Sequence, residues 1–360
     1  VKRLFYAVLP PVVAVLVALV ATSAVIVVSG GSATSFISTI LSVPDDRVLV
    51  NIINQSSMIS ISAFAAAIGF RMGLFNIGVE GQYIAGTTAA AFFGGSGIVS
   101  GPLNILATLV VAMLAGALYA SIAGILKVTR GVSEVISAIM LNYIALTMAG
   151  YLVQRYGEKS GYTYITPRLP ESSQPLGFSV VSGAPDVWAL FVVAVAVGVG
   201  YWFLLSRTRF GFDLRTTGES PTAALASGIG VGRMVIISMA LSGAVAGLVW
   251  MPAYFGSVHT FGTPENFQAG LGFTGLAVAL LGRNRAIGIA VGSLLFAFLA
   301  GQSNELQRDG IAKQVVDITQ GVVVLAVVVA YEVVRRRQAR AEQEAVAARL
   351  DDRPTEGVVS

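Results

Sequence analysis

The chain contains no cysteine, which removes disulfides, thiolate metal sites and cysteine nucleophiles. It has one histidine, His259, too little imidazole for a zinc centre in the absence of thiolates. Within FGSVHTFGTPENF that histidine reads as a solvated loop residue. Charge is scarce, 12% of residues against about a quarter in a soluble domain. No G-x-x-x-x-G-K-[ST] loop occurs, so the chain cannot bind ATP through that motif. Neither a Ser/His/Asp set nor paired carboxylates at catalytic spacing is present. The chain therefore reads as a non-enzyme that binds no metal and no cofactor of its own.

What is abundant is apolar. Hydrophobic residues make up 55% of the chain and glycine 40 positions, and mean hydropathy is +0.78. Uncharged runs of about 20 residues are long enough to cross a hydrocarbon core as helices, and small residues let such helices approach closely. Ten runs are expected to span: Leu4 to Ser29, Val48 to Phe70, Gly73 to Gly95, Pro102 to Leu126, Val132 to Val153, Val187 to Ser206, Met234 to Phe255, Ala269 to Leu281, Ala286 to Ala300 and Val315 to Val334. The first run exceeds the roughly 7–15 apolar residues of a signal-peptide core. The Ala269 run is short and glycine-rich, which suggests a broken or re-entrant segment.

The expected fold is thus all-α and polytopic, with about ten transmembrane helices. With both termini cytoplasmic, seventeen of the 23 basic residues lie on the inner side and six on the outer, as the positive-inside bias demands. Residues 1–334 form the membrane domain, 207–233 a basic inner connector, 154–186 a proline-rich outer loop, and 335–360 a charged cytoplasmic tail. Trp188, Tyr201, Trp202, Trp250 and Tyr254 fall near expected span ends, as interfacial anchors do, and Met58, Met113 and Met140 read as core filling. The spacings Gly243-x-x-x-Gly247 and Gly288-x-x-x-Gly292 fit close helix packing, although so much glycine produces them by chance. Asp317 falls near the outer end of the last run, a helix-end position.

One apolar run carries polar groups. GLFNIGVEGQYIAG, Gly73 to Gly86, contains Asn76, Glu80 and Gln82 just after Arg71. If the chain is helical from Arg71, Glu80 lies nine residues along, about 13 Å at 1.5 Å per residue, close to the midplane of a core about 30 Å thick. A carboxylate there must face a protein interior or an aqueous cavity. Two readings are open: the group ties neighbouring helices together, or it serves a solute path, directly or through its neighbours. Glu134 and Asn142 are further candidates in GVSEVISAIMLNYIAL.

These two stretches, in this order and at this separation, resemble permease subunits of ABC importers for nucleosides and related simple sugars, in the group that includes branched-chain amino acid and ribose permeases. The resemblance spans Asn51 to Ala300, with Ser133 where the family often has Asn. It implies a substrate path involving Asn76, Glu80, Gln82, Glu134 and Asn142. It further implies a second permease subunit or a second copy, a cytoplasmic ABC ATPase that holds ATP-Mg, an extracytoplasmic binding lipoprotein, and a bacterial plasma membrane with its lipid as the setting; nucleic acid is not a partner. The connector DLRTTGESPTAALASGIGVGR contains a short helix on local grounds: Ser220 is an N-cap, Pro221 suits the first helical position, Thr222 to Ser227 would be helical, and Gly228 can end it in the left-handed conformation. In the resembled family this segment is a coupling helix that docks on the ATPase, and Gly218, Pro221, Ala223, Ala224, Gly228 and Ile229 match its pattern, with Ser220 in place of the usual Asn. The rival reading is a secondary transporter driven by an ion gradient, with Glu80 or Glu134 as the coupling acid.

Overall fold

In a computed structural model the chain is described over residues 32–181, 183–262 and 269–302, with scattered positions in 16–27 and 306–329. The expected first and last spans and the tail 335–360 lie largely or wholly outside the described residues. The chain forms two units, one of residues 1–41 and 304–360 and one of Ser42–Ser303. In the first, α1 (Ala33–Leu41) is an apolar helix with Phe36 buried, and the amide of Ser35 donates to the Ser32 hydroxyl at its start.

The second unit is a helical bundle around α2 (Asp46–Arg71), whose N-cap Asp45 accepts from the Val48 amide. Most of α2 is buried despite Asn54, Ser56, Ser57, Ser60 and Ser62. Helical hydroxyls can satisfy themselves on the preceding turn, and Ser57 and Ser60 donate to the carbonyls of Asn54 and Ser57 at 2.6 and 2.9 Å. Small side chains at Ala63, Ala65, Ala66 and Ala67 let neighbours approach closely. After a break come α3 (Val79–Gly95), α4 (Gly101–Arg130) and α5 (Glu134–Tyr156). The turn between α4 and α5 is closed by Gly131 in the left-handed conformation, and Lys127 binds Glu134 across it at 2.6 Å.

The stretch between α5 and the next helix is built rather than loose. Two short strands, β1 (Glu158–Ser160) and β2 (Thr163–Ile165), pair antiparallel, and the chain is stitched to the segment beyond Val258. Thr166 donates to the Phe261 carbonyl at 2.8 Å and Leu169 to that of His259 at 2.9 Å. Then α6 (Phe191–Arg207) and α7 (Arg209–Glu219) meet at a 75° bend, α8 (Pro221–Ala226) follows, and α9 (Val231–Gly247) recrosses. The span that starts in α9 continues to Val258, ending in a π-helical turn. Finally α10 (Leu271–Leu281) and α11 (Ala286–Gly301) form a hairpin.

Four helices among the described residues are long and apolar enough to cross a membrane, Asp46–Arg71, Gly101–Arg130, Glu134–Tyr156 and Val231–Val258, with the α6–α7 pair a fifth if counted as one span. The protein is a polytopic all-α membrane protein. α4 and α9 pack antiparallel at backbone distance: a methyl group on Gly124 would sit 3.4 Å from Ile236 Cα, one on Gly116 would overlap the Gly243 carbonyl, and one on Gly247 would overlap Ala112. The Gly243-x-x-x-Gly247 spacing is therefore a packing face. Three of the five aromatics expected as interfacial anchors are core residues instead: Tyr201, Trp250 and Tyr254 are buried. Met58 fills the core as expected, whereas Met113 and Met140 are exposed.

Candidate functional site

The polar stretch lies in a helix break, not in a continuous helix. After Arg71 the chain turns over residues 72–78, with the Leu74 amide returning to the Gly69 carbonyl at 3.0 Å. Asn76 is fully buried. Its side-chain nitrogen donates to Gln82 Oε1 at 2.9 Å and Ser242 Oγ at 2.7 Å, and its oxygen accepts from the Gly78 amide and from Gln82 Nε2. The two amides thus form a closed pair that caps the start of α3. Asn142 completes the cap, accepting from the Gly81 amide at 2.8 Å and donating to the Ile77 carbonyl at 3.0 Å. A helix start leaves several amides without intrahelical partners, and in hydrocarbon they must be met by protein.

Glu80, in the first turn of α3, reaches across to the start of α10. Its two oxygens accept from the Gly270 and Gly272 amides at 2.7 Å each, and the Tyr83 hydroxyl donates to it at 3.1 Å. One carboxylate therefore sits at the positive ends of two half-helices, its own and α10, where the aligned peptide dipoles favour negative charge. The approach is tight: a methyl on Gly272 would lie 2.5 Å from the Glu80 nitrogen.

Depth follows from the neighbours. Asn142 is eight residues beyond Glu134, about 12 Å along α5, and Ser242 is eleven beyond Val231, about 16 Å along α9. Both helices begin on one side, since α9 starts where Gly232 meets Val128 near the end of α4. The junction of α3 with α10 lies near the midplane. The structure thus brings Asn76, Glu80, Gln82 and Asn142 together, while Glu134 is paired with Lys127 across the α4–α5 turn and rests against the Phe75 backbone. Sequence reasoning did not reach Gly270, Gly272 or Ser242, which are remote in the chain; the glycine pair in QAGLGF was their one visible signal. A cavity of about 450 Å³ between α2, α6 and α11, lined by groups such as Phe64, Trp202 and Ile287, contains none of the candidate residues. Among the described residues no group of His, Asp and Glu could hold a metal ion.

In the connector 207–233 Ser220 accepts from the Ala223 amide at 3.3 Å and Gly228 has φ +77°, the N-cap and left-handed end expected for α8. Pro221, Ala223 and Gly228 face outward, Ser220 and Ile229 are half-buried, and Ala224 is buried. Leu225 and Phe212 project as exposed apolar groups. Gly218 does not belong to that outer face: it lies against the turn after α2, where a methyl group on it would be 2.8 Å from the Met72 carbonyl carbon and 3.1 Å from the Gly73 nitrogen. Arg71, one residue before that turn, donates to the Asn284 carbonyl at 2.9 Å.

A family described as the branched-chain amino acid transport system permease component matches residues 48–330. The chain belongs to this family: it is a multi-pass permease subunit of the bacterial plasma membrane, a transport component and not an enzyme. It is 33% identical to the guanosine ABC transporter permease protein NupP of Bacillus subtilis, over 92% of this chain and 96% of that one. The nucleoside ABC transporter permease protein NupB of Lactococcus lactis is 30% identical over 75% and 76% of the two chains. The glucose ABC transporter permease protein TsgB13 of Haloferax volcanii is 31% identical over 77% and 75%. The first two organisms each have a second similar permease protein, NupQ and NupC, 30% and 26% identical over 66% and 69% of this chain and over 76% and 79% of their own lengths. No solved structure matches the chain.

Proposed function

We propose that the chain is one of two permease subunits of an ATP-driven importer that carries a neutral nucleoside. The observation that carries this reading is similarity to a guanosine permease protein along nearly the whole of both chains. The second permease is of the NupQ or NupC kind, ATP-Mg is held by a separate cytoplasmic ATPase, and an extracytoplasmic lipoprotein delivers the solute.

The junction supports a neutral cargo. Half-helix N-termini at the midplane are where transporters bind anionic groups of their substrates. Here both are already filled, α10 by Glu80 and α3 by the oxygens of Asn76 and Asn142. An amino acid would bring a carboxylate to ends already occupied by side-chain oxygens, whereas a nucleoside or a simple sugar brings none. On this reading Asn76, Glu80, Gln82 and Asn142 hold the two half-helices in register beside the path and do not themselves grip the solute. Glu134, bound to Lys127, tightens the inner turn.

The motor acts through α8. Its exposed face, with Leu225 at its centre, enters a groove on the ATPase, and ATP-driven movement of α8 is carried by α7 and Gly218 to the turn at Arg71–Gly73 and so to the α3 start. Alternating access requires each contact to differ between inward- and outward-open states, and a junction of two half-helix ends is an element that can take two arrangements. The test is uptake of labelled guanosine by the complete importer in vesicles. Competition by unlabelled nucleosides and none by leucine is expected; competition by leucine overturns the neutral-cargo reading, and competition by glucose alone transfers the assignment to sugars, as the resemblance to TsgB13 would have it.

A further inference from the structure

We infer that the exposed stripe of α5 centred on Tyr143 and Thr147 is the surface on which the permeating solute rests, its planar base stacked on the Tyr143 ring. This rests on the nucleoside-import reading above and adds the residues that touch the cargo.

The argument starts from depth. Tyr143 lies nine residues beyond Glu134 on α5, about 13 Å from the inner surface, in the middle of the hydrocarbon core. It is nevertheless 70% exposed, and no described residue holds its phenol oxygen. Tyrosines that face lipid belong at the headgroup level, because a hydroxyl without a partner is costly in hydrocarbon. A wall that faces water on the solute path meets this need of the phenol, and a lipid-facing one does not. By contrast α4 presents Val110, Leu114 and Leu118, all exposed and all aliphatic, the composition of a lipid-facing side.

The stripe has the chemistry of a nucleoside seat. Ile136, Met140, Tyr143, Thr147 and Tyr151 follow one another at spacings of three and four, on one face of the helix, and all are exposed. Tyrosine offers a flat ring for stacking and a hydroxyl at its tip. Thr147 gives its proton to the Tyr143 carbonyl at 2.9 Å, so its oxygen is presented as an acceptor, suited to a ribose hydroxyl or a base amine. Methionine beside them adapts to a flat apolar solute. The face is also mechanically tied to the junction: Asn142, the residue before Tyr143, holds the α3 start through the Gly81 amide and the Ile77 carbonyl. A shift of the half-helices must move the solute surface with them.

The absence of cysteine from the chain makes the test direct. Single-cysteine variants Tyr143→Cys and Thr147→Cys, with Val110→Cys and Leu118→Cys for comparison, are assembled into the complete importer and exposed to a charged, water-soluble methanethiosulfonate. Modification at 143 and 147 is expected to be at least tenfold faster than at 110 and 118, and to slow severalfold with guanosine and its binding protein present. Rates at 143 and 147 equal to those at 110 and 118, or fast modification that the transported solute does not slow, overturn the inference. Guanosine uptake by the unsubstituted importer is measured alongside; if the cargo proves to be a different solute, the function reading fails, and protection is then read with that solute. Tyr143→Phe, which keeps the ring, should retain the wild-type KM while Tyr143→Leu raises it severalfold; equal KM values for the two would overturn the stacking role.

Discussion

At the residue scale, Glu80 joins two half-helix starts, accepting from two amides of one and from a hydroxyl of the other. Removing it strips two amides at the α10 start and one hydroxyl of their acceptor, and hydrogen bonds to a charged group contribute about 1.5–3 kcal/mol each. Glu80→Ala is therefore expected to cut uptake at least tenfold and to lower the thermal midpoint of the purified importer. Glu134→Ala loses a part-buried ion pair with Lys127 but leaves the hydrogen bonds of the half-helix junction in place, so it should cut uptake severalfold less than Glu80→Ala; equal losses in both variants would remove the special role of the junction. The helical rise expected from Arg71 to Glu80 is not the route the chain takes: the helix breaks at Met72, and the link to α3 is a loop folded against α2. Its partners were not legible, because Gly270 and Gly272 are some 190 residues away and a bare amide leaves no mark in a sequence.

Elements that depend on neighbouring residues were the most readable. The Ser220 cap, Pro221 and the left-handed Gly228 act within one turn, so α8 has nearly the expected bounds. Helix α7 and its 75° bend at Thr208 depend on packing against α2 and were not foreseen. Aromatics were misplaced for the same reason: the Tyr201 hydroxyl donates to the Asn284 carbonyl in the α10–α11 turn and the Tyr254 hydroxyl to the Ala91 carbonyl of α3, contacts that composition does not reveal. At α8, Gly228→Val forces a β-branched residue into φ +77°, a strain of about 1–2 kcal/mol. It should leave basal ATP hydrolysis intact while abolishing its stimulation by loaded binding protein; normal stimulation would detach α8 from the motor. In the outer loop, His259 has its pKa lowered from 6.5 by burial and then by the positive charge of Arg168. The fold favours the neutral ring, so its stability is full above the ordinary value and declines as pH falls below it. The protection of the Leu169 amide, which is bonded to the His259 carbonyl, should therefore fall, relative to the intrinsic exchange rate at each pH, from pH 7 to 5.5, and His259→Gln should flatten that dependence; an unchanged slope would contradict it.

At the scale of the whole molecule, the Ser42–Ser303 unit is a close-packed helical scaffold with a polar cluster at the α3–α10 junction. Glycine and alanine faces bring α4 and α9 to backbone contact, most small hydroxyls of α2 bond within their own helix, and Ser62 donates to the Leu271 carbonyl at the start of α10, which adds to that junction. That junction is linked toward the inner face through Gly218 and borders the α5 stripe through Asn142. Such a layout suits a machine whose power is supplied by another protein, since among the described residues Glu80 and Glu134 are both engaged by partners and neither stands as an open proton site. The most direct measurement is guanosine uptake by the complete importer in vesicles loaded or not loaded with ATP, each with and without a proton ionophore. Uptake that requires ATP and is indifferent to the ionophore is the predicted result; uptake that proceeds without ATP and collapses with the ionophore would contradict the account.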